Sequence, residues 1–313
     1  MEPLIILTGP TAVGKTELSV RLAKETGGEI ISADSMQVYK HMDIGSAKIS
    51  PAEMDGVWHH LIDVLDPRDD FNVVLFQKLA KEAYKRIREK GRIPMIVGGT
   101  GFYIQAFLYD IDFEDTLKDP SLREELEGLA AEKGNGFLHD MLSELDPASA
   151  EEIHANNVKR IIRAIEYFKL TGNRISEHNH EQRKKESPYD FVYFVLNDDR
   201  KRLYDKIDKR VDVMMEKGLL NEVRDLKLMG LTRDHVSMQG LGYKEILDHL
   251  DGRISLEEAV YRIKRDSRHF AKRQITWFKR ERDVIWINKD EYGYSDDLIL
   301  KDMKGILLNA GII

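Results

Sequence analysis

The segment Gly9-Pro10-Thr11-Ala12-Val13-Gly14-Lys15-Thr16 constrains this chain more than any other. It follows the apolar run Leu4-Ile5-Ile6-Leu7 and opens a stretch that reads as a helix from Lys15 to about Glu25. A glycine, four residues and then Gly-Lys-Thr, in that context, is a complete P-loop. Its glycines let the backbone curl until successive N–H groups face a phosphate, and the helix N-terminus adds positive potential. Lys15 supplies a full charge, and the Thr16 hydroxyl is the expected ligand for Mg²⁺. The motif does not select among ATP, GTP and a small organic diphosphate.

The neighbouring pattern extends the same architecture. Glu29–Ala33, Pro94–Val97, Phe191–Leu196 and Val284–Ile287 read as buried strands, and Val73–Lys90 as an amphipathic helix closed by Gly91. Strands alternating with helices make a parallel α/β sheet. Between about Asp110 and Ser187 no strand is convincing. Helices are expected at Ser121–Lys133, Gly136–Leu145, Ser149–His154 and Val158–Leu170, with Gln182–Ser187 a polar loop. Later helices are expected near 200–216, 219–229, 243–250 and 255–282, with a last one at the C-terminus. The expected fold is thus a P-loop NTPase-like α/β core, residues 1–112 and 190–313, with an all-helical insertion domain at 113–189.

Composition excludes some chemistry. The 313 residues contain no cysteine, so disulfides, thiolate metal sites and cysteine catalysis are ruled out. No basic leader precedes Leu4, and no apolar run approaches the ~20 residues that span a bilayer. A cytoplasmic protein without membrane contact is expected, and a monomer is the simplest state. Net charge is −7, yet nine Lys and Arg fall between Arg262 and Arg282, opposed there only by Asp266 and Glu281. A basic surface on an acidic chain is therefore available to nucleic acid.

Asp34 ends the second strand on the sheet edge that carries the P-loop, where ligands bind in such folds. It is a candidate general base, or else a helix cap or solvated turn. Gly98-Gly99-Thr100-Gly101 opens a helix at the same edge, as a second anion site or as a plain strand-to-helix turn. Asp63 is read as structural. These parts leave three classes open: a small-molecule kinase, a transferase with diphosphate as leaving group, and a nucleotide-dependent RNA-binding switch.

Longer blocks narrow the choice. They are Ser32-Ala33-Asp34-Ser35-Met36-Gln37-Val38-Tyr39-Lys40, Met42-Asp43-Ile44-Gly45-Ser46-Ala47-Lys48, Gly98–Tyr103, Gly240-Leu241-Gly242-Tyr243 and Lys272-Arg273-Gln274-Ile275-Thr276-Trp277. Together with the P-loop they resemble the bacterial tRNA dimethylallyltransferases nearly end to end. Phe102 departs mildly from the leucine often found there. Without cysteine the chain lacks the zinc finger of eukaryotic relatives.

The resemblance implies transfer of a dimethylallyl group from dimethylallyl diphosphate to the exocyclic amine of an adenosine in the tRNA anticodon stem-loop. The P-loop, Gly9 to Thr16, then holds the diphosphate. Asp34, Lys15, Thr100 and Arg210 take catalytic roles, and Asp34, Ser35, Met36, Gln37 and Thr100 line the nucleotide pocket. Arg123, Lys159, Arg160, Ile161, Ile162 and Arg163 of the insertion contact tRNA, as do Lys272, Arg273, Gln274, Trp277 and Lys279. A relative acting on free adenine nucleotides is the nearest alternative. It would need neither the insertion nor the basic helix.

Overall fold

A computed structural model describes residues 2–113 and 119–313. Six parallel strands form one sheet: β1 (Pro3–Thr8), β2 (Gly28–Ala33), β3 (His59–His60), β4 (Ile93–Gly98), β5 (Asp190–Asn197) and β6 (Val284–Asn288), in the order β3-β2-β4-β1-β5-β6. β1 is central and its residues Leu4, Ile5, Ile6 and Leu7 are fully buried, as expected of a parallel strand covered on both faces. Around the sheet lie α1 (Lys15–Thr26), α2 (Pro51–Met54), α3 (Val73–Glu89), α4 (Gly101–Leu108) and, after the insertion, further helices described below.

Register decides where the site forms. Thr8 of β1 pairs with Gly98 of β4, and Gly98 pairs with Ala33 of β2. The next residue on each strand, Gly9, Gly99 and Asp34, therefore leaves the same edge of the sheet on adjacent strands, which lie roughly 4.8 Å apart. The row is tight. The Thr8 hydroxyl donates to the Gly98 carbonyl at 2.7 Å, and a β-carbon on Gly98 would stand 2.2 Å from the Ala33 carbonyl oxygen.

The chain divides into two compact units, Met1–Leu108 with Pro188–Ile313, and Tyr109–Ser187. The division falls within a few residues of 113 and 189. Residues 114–118, at the expected start of the insertion, lie outside the described residues. The second unit holds α5 (Pro120–Lys133), α6 (Asn135–Leu145), α7 (Pro147–Glu152), α8 (Val158–Thr171) and α9 (Ile175–Lys184). Leu126, Leu138, Leu142, Ile161, Ile162 and Ile165 form its own apolar core.

Helix α9 is the main element missing from the sequence reading, which assigned nothing between Leu170 and Gln182; the loop expected at Gln182–Ser187 begins only after Lys184. No residue of α9 is buried, so no apolar stripe announces it. Buried Asp146 holds its first turn instead, accepting from the Ser176 N–H at 3.0 Å and the Ser176 hydroxyl at 2.6 Å. The same carboxylate caps α7 through Ser149. The short strand β3 and helix α2 carry no usable period either.

The C-terminal part of the first unit contributes α10 (Arg200–Glu216), α11 (Leu219–Leu228), α12 (Tyr243–Leu250), α13 (Leu256–Phe278) and α14 (Asp296–Asn309). Helix α13 ends at Phe278 rather than 282. Its buried stripe is Ala259, Ile263, Ala271, Gln274 and Phe278, while Phe270 and Trp277 are only partly covered.

G98A should cost about 1–3 kcal/mol of stability by overpacking against β2, read as a lower urea midpoint. An unchanged midpoint would contradict the tight β2–β4 row.

Candidate active site

The P-loop links β1 to α1. Ala12 (φ 62°) and Gly14 (φ 99°) both lie in the left-handed region, and the turns they make point backbone N–H groups inward. The Lys15 ammonium donates to the Gly9 and Pro10 carbonyls at 2.9 and 2.8 Å, which fixes it at the loop. Enclosure of that ammonium, with Arg210 nearby, pushes its pKa down to about 7, and Asp34 opposes the shift. Burial also pushes Arg210 down while Asp34 raises it; a guanidinium nevertheless stays protonated. Arg210 reaches from α10 and donates to the Thr11 hydroxyl at 3.3 Å. Two cations and one carboxylate thus act on one another around the loop, an electrostatic setting suited to an anion.

Thr16 is exposed at the start of α1, and its hydroxyl has no hydrogen-bond partner among the described residues. No cluster of three or more histidine or carboxylate side chains suited to a metal occurs among them. A cation at this loop would therefore be held by Thr16 and a bound phosphate rather than by an acidic cage, and the residues fit a Mg²⁺–diphosphate pair in that sense.

Asp34 follows β2. Its Oδ1 accepts from the Met36 and Gln37 N–H groups at 2.8 and 3.3 Å. Its Oδ2 has no hydrogen-bond partner among the described residues, so one carboxylate oxygen is held and the other is available. Thr100, partly exposed, donates its N–H to the Ala33 carbonyl at 3.2 Å. Ser35, Met36 and Gln37 are also partly exposed. Met36 packs on Gly240, where a β-carbon would meet its methyl at 2.5 Å. The Gln37 amide nitrogen makes long hydrogen bonds to the Ser46 and Ala47 carbonyls, 3.4 and 3.3 Å. Asp63 pairs with Lys48 at 2.5 Å, and Lys48 also binds Asp43 and the Tyr39 carbonyl. Asp63 thus has the structural place expected of it.

Gln274 corrects the sequence reading, which set it against RNA. It is 6% exposed. Its Oε1 accepts from the Thr11 N–H at 2.9 Å, and its Nε2 donates to the Gly99 carbonyl at 2.8 Å. One amide therefore ties the P-loop to the turn after β4. Gly99 has no room for a side chain because a β-carbon would stand 2.3 Å from that Nε2.

The charges of α13 fall into two groups. Toward its start, Arg262 pairs with Glu258, Lys264 with Asp212, Arg265 with Asp266 and Arg268 with Asp208. Toward its end, Lys272, Arg273, Lys279 and Arg280 are exposed, with no ion pair among the described residues. His269, Lys272, Arg273, Thr276, Trp277 and Arg280 line one groove; their spacing of three and four places them on one helical face. His269, Thr276 and Arg280 are the groove residues the sequence reading left out of its site. Phe102, 41% exposed, meets Trp277 edge to face at 6.1 Å. Nearby, burial pushes the Glu281 carboxyl up to about 7, against the Trp277 indole and the Arg282 charge.

The insertion residues divide too. Lys159 and Arg160 are exposed at the start of α8. Ile161 and Ile162 are 0% and 3% exposed; they belong to the insertion core and do not face solvent, which corrects their placement against RNA. Arg123 donates to buried Glu166 at 2.6 Å, and Arg163 reaches the same oxygen at 3.4 Å. Both guanidiniums therefore have an internal partner.

A parallel sheet with a phosphate-binding loop at the end of its central strand defines the P-loop class. Comparison carries the assignment further. A family described as IPP transferase matches residues 37–281, and one described as isopentenyl transferase matches residues 2–67. The chain is 62% identical to the tRNA dimethylallyltransferase of Lachnoclostridium phytofermentans over the full length of both. It is 45% identical to the tRNA isopentenylpyrophosphate transferase of Bacillus halodurans, with a TM-score of 0.74 over 99% of this chain and 98% of that one. A eukaryotic dimethylallyltransferase acting on tRNA matches with a TM-score of 0.78 at 29% identity, over 91% of this chain and 73% of that one. The chain belongs to the IPP transferase family.

Q274L keeps the bulk of Gln274 but leaves the Thr11 N–H and the Gly99 carbonyl unpaired. The expected result is a loss of about 1–3 kcal/mol in stability and roughly tenfold weaker pyrophosphate binding by calorimetry. Unchanged pyrophosphate affinity would contradict the bridge.

Proposed function

We propose that the chain transfers a dimethylallyl group from dimethylallyl diphosphate to the N6 amine of the adenosine 3′-adjacent to the anticodon in tRNA, releasing pyrophosphate. One observation carries the reading above the others. A phosphate-binding loop after β1 and a carboxylate with a free oxygen after β2 leave the same edge of the sheet, with β4 between them.

The allylic C1–O bond breaks, and its electron pair leaves with pyrophosphate. The P-loop amides, Lys15 and Arg210 stabilise that developing charge without reorganising. Thr16 would hold Mg²⁺ against the diphosphate, where the ion supplies further charge neutralisation. The N6 lone pair forms the new C–N bond, and the amine becomes acidic only as that bond forms. Asp34 Oδ2 then takes the proton, while Oδ1 stays fixed by the Met36 and Gln37 amides. The base must leave the anticodon stack to reach C1, at a cost of a few kcal/mol recovered in the pocket. Ser35, Met36, Gln37 and Thr100 border that pocket in this reading.

The tRNA backbone is assigned to the unpaired cations Lys272, Arg273, Lys279 and Arg280, with Trp277 beside them, and to Lys159 and Arg160 of the insertion. Arg123 and Arg163 serve it less directly, since both are engaged with Glu166. The reading includes a cytoplasmic monomer. No helix among the described residues is long and apolar enough to cross a membrane.

Labelled dimethylallyl diphosphate with Mg²⁺ should label a tRNA anticodon stem-loop and leave AMP unlabelled. Label in AMP alone, or in neither, would overturn the proposal. D34A should lower turnover by roughly 10²–10⁴-fold and change RNA affinity only a few-fold; retained turnover removes Asp34 as the base. In stem-loop titrations, K272A and R273A should each reduce the slope of log affinity against log salt by about 1. A slope equal to that of the unaltered chain would place the RNA elsewhere.

A further inference from the structure

The block Met42–Lys48 follows the nucleotide pocket and lies across from α11 and α12. Its turn is held by one side chain that nothing in the sequence marks. The Glu222 carboxylate of α11 accepts from three consecutive backbone N–H groups, Asp43 at 2.8 Å, Ile44 at 2.7 Å and Gly45 at 3.0 Å. It also accepts from the Tyr243 hydroxyl at 2.8 Å. That hydroxyl in turn accepts from the Ser46 N–H at 3.1 Å. Four successive amides, 43 to 46, are therefore satisfied by one carboxylate and one phenol. Gly45 is needed because a β-carbon would stand 2.5 Å from the Tyr243 ring.

With its amides turned toward Glu222 and Tyr243, the turn presents its carbonyls to Gln37. The Ser46 and Ala47 oxygens both receive the Gln37 Nε2. Two carbonyl oxygens can accept only from the nitrogen end of an amide, so they decide which way the Gln37 amide faces. Its Oε1 is directed away from them, as an acceptor.

We propose that Glu222 is a positioning residue for base selection: by fixing the 43–46 turn it locks the Gln37 amide with its oxygen toward the nucleotide. An acceptor held this way matches a purine edge that donates, as the 6-amino group of adenine does. It opposes one that presents a carbonyl, as hypoxanthine does. Without Glu222 the turn loses its anchor, the amide is free to rotate, and either edge can be met. Asp34, which faces the same amine, keeps its own share of the preference, so only the share owed to Gln37 is lost. The inference rests on the functional reading above and concerns only how the adenine edge is chosen.

The test compares binding of two anticodon stem-loops, one with adenosine and one with inosine at the target position, by fluorescence anisotropy. The unaltered chain should prefer adenosine by roughly tenfold or more. E222A should cut that preference by roughly threefold or more while Asp34 holds the remainder, raise the KM for RNA more than it lowers kcat, and leave pyrophosphate affinity unchanged. Y243F removes the phenol that donates to Glu222 and accepts from the Ser46 N–H, leaves the three Glu222–amide bonds in place, and should give a smaller loss of preference; it decides the matter if E222A does not fold. Wild-type preference retained in the folded variants would overturn the inference. So would pyrophosphate affinity falling in parallel with RNA affinity, since that is general damage. If the unaltered chain transfers no label to tRNA, the functional reading fails; if it transfers label and both variants still prefer adenosine, only the role of Glu222 fails.

Discussion

The amide of Gln274 is the interaction on which the site most depends. The sheet delivers Gly9, Gly99 and Asp34 to one edge, but strand register says nothing about where the loops beyond it go. An amide carries an acceptor and a donor at fixed separation, and here one takes the Thr11 N–H and the other the Gly99 carbonyl. Glutamate would lack the donor and leucine both. Because Gln274 is buried on α13, the helix that carries the exposed cations also sets the spacing between the phosphate loop and the turn bearing Thr100. The spacing of the P-loop and the cations proposed to meet RNA are thereby built on the same element.

Electrostatics follow the same economy. A chain of net charge −7 would repel RNA if its charge were evenly spread. Helix α10 prevents this by lending Asp208 and Asp212 to the early part of α13, where they pair with Arg268 and Lys264. Arg210, on the same helix, is turned to the P-loop instead. Of the α13 cations named, those without an ion pair among the described residues lie where the helix ends, at Lys272, Arg273, Lys279 and Arg280. Such segregation, rather than net charge, is what lets an acidic protein meet a polyanion.

Much of this was legible in the sequence, and the limits have physical causes. The P-loop and its strand could be read because they are local, with glycine positions and apolar burial contiguous in the chain. Asp34 could be placed because in a parallel sheet every strand ends on the same side. The second helical unit was legible from periodicity, but α9 was not, because it buries no side chain and is held by Asp146 from the junction of α6 and α7. Ile161 and Ile162 looked like part of a basic patch through adjacency to Lys159, Arg160 and Arg163. A helix turns consecutive residues to different faces, and theirs is the core. Gln274 and Glu222 were opaque for a related reason. Their roles are hydrogen bonds to backbone atoms more than a hundred residues away, and a polar side chain on an amphipathic helix does not announce such a partner.

The central claim is that one sheet edge holds both the departing diphosphate and the base that receives the carbon. It is tested most directly by a crystal structure of the chain with an anticodon stem-loop and the unreactive thiolo analogue of dimethylallyl diphosphate. The account predicts the diphosphate within the Gly9–Thr16 loop and the adenine N6 in hydrogen-bond contact with Asp34, with the allylic carbon between them. A diphosphate bound away from that loop, or an adenine whose N6 faces away from Asp34, would contradict it.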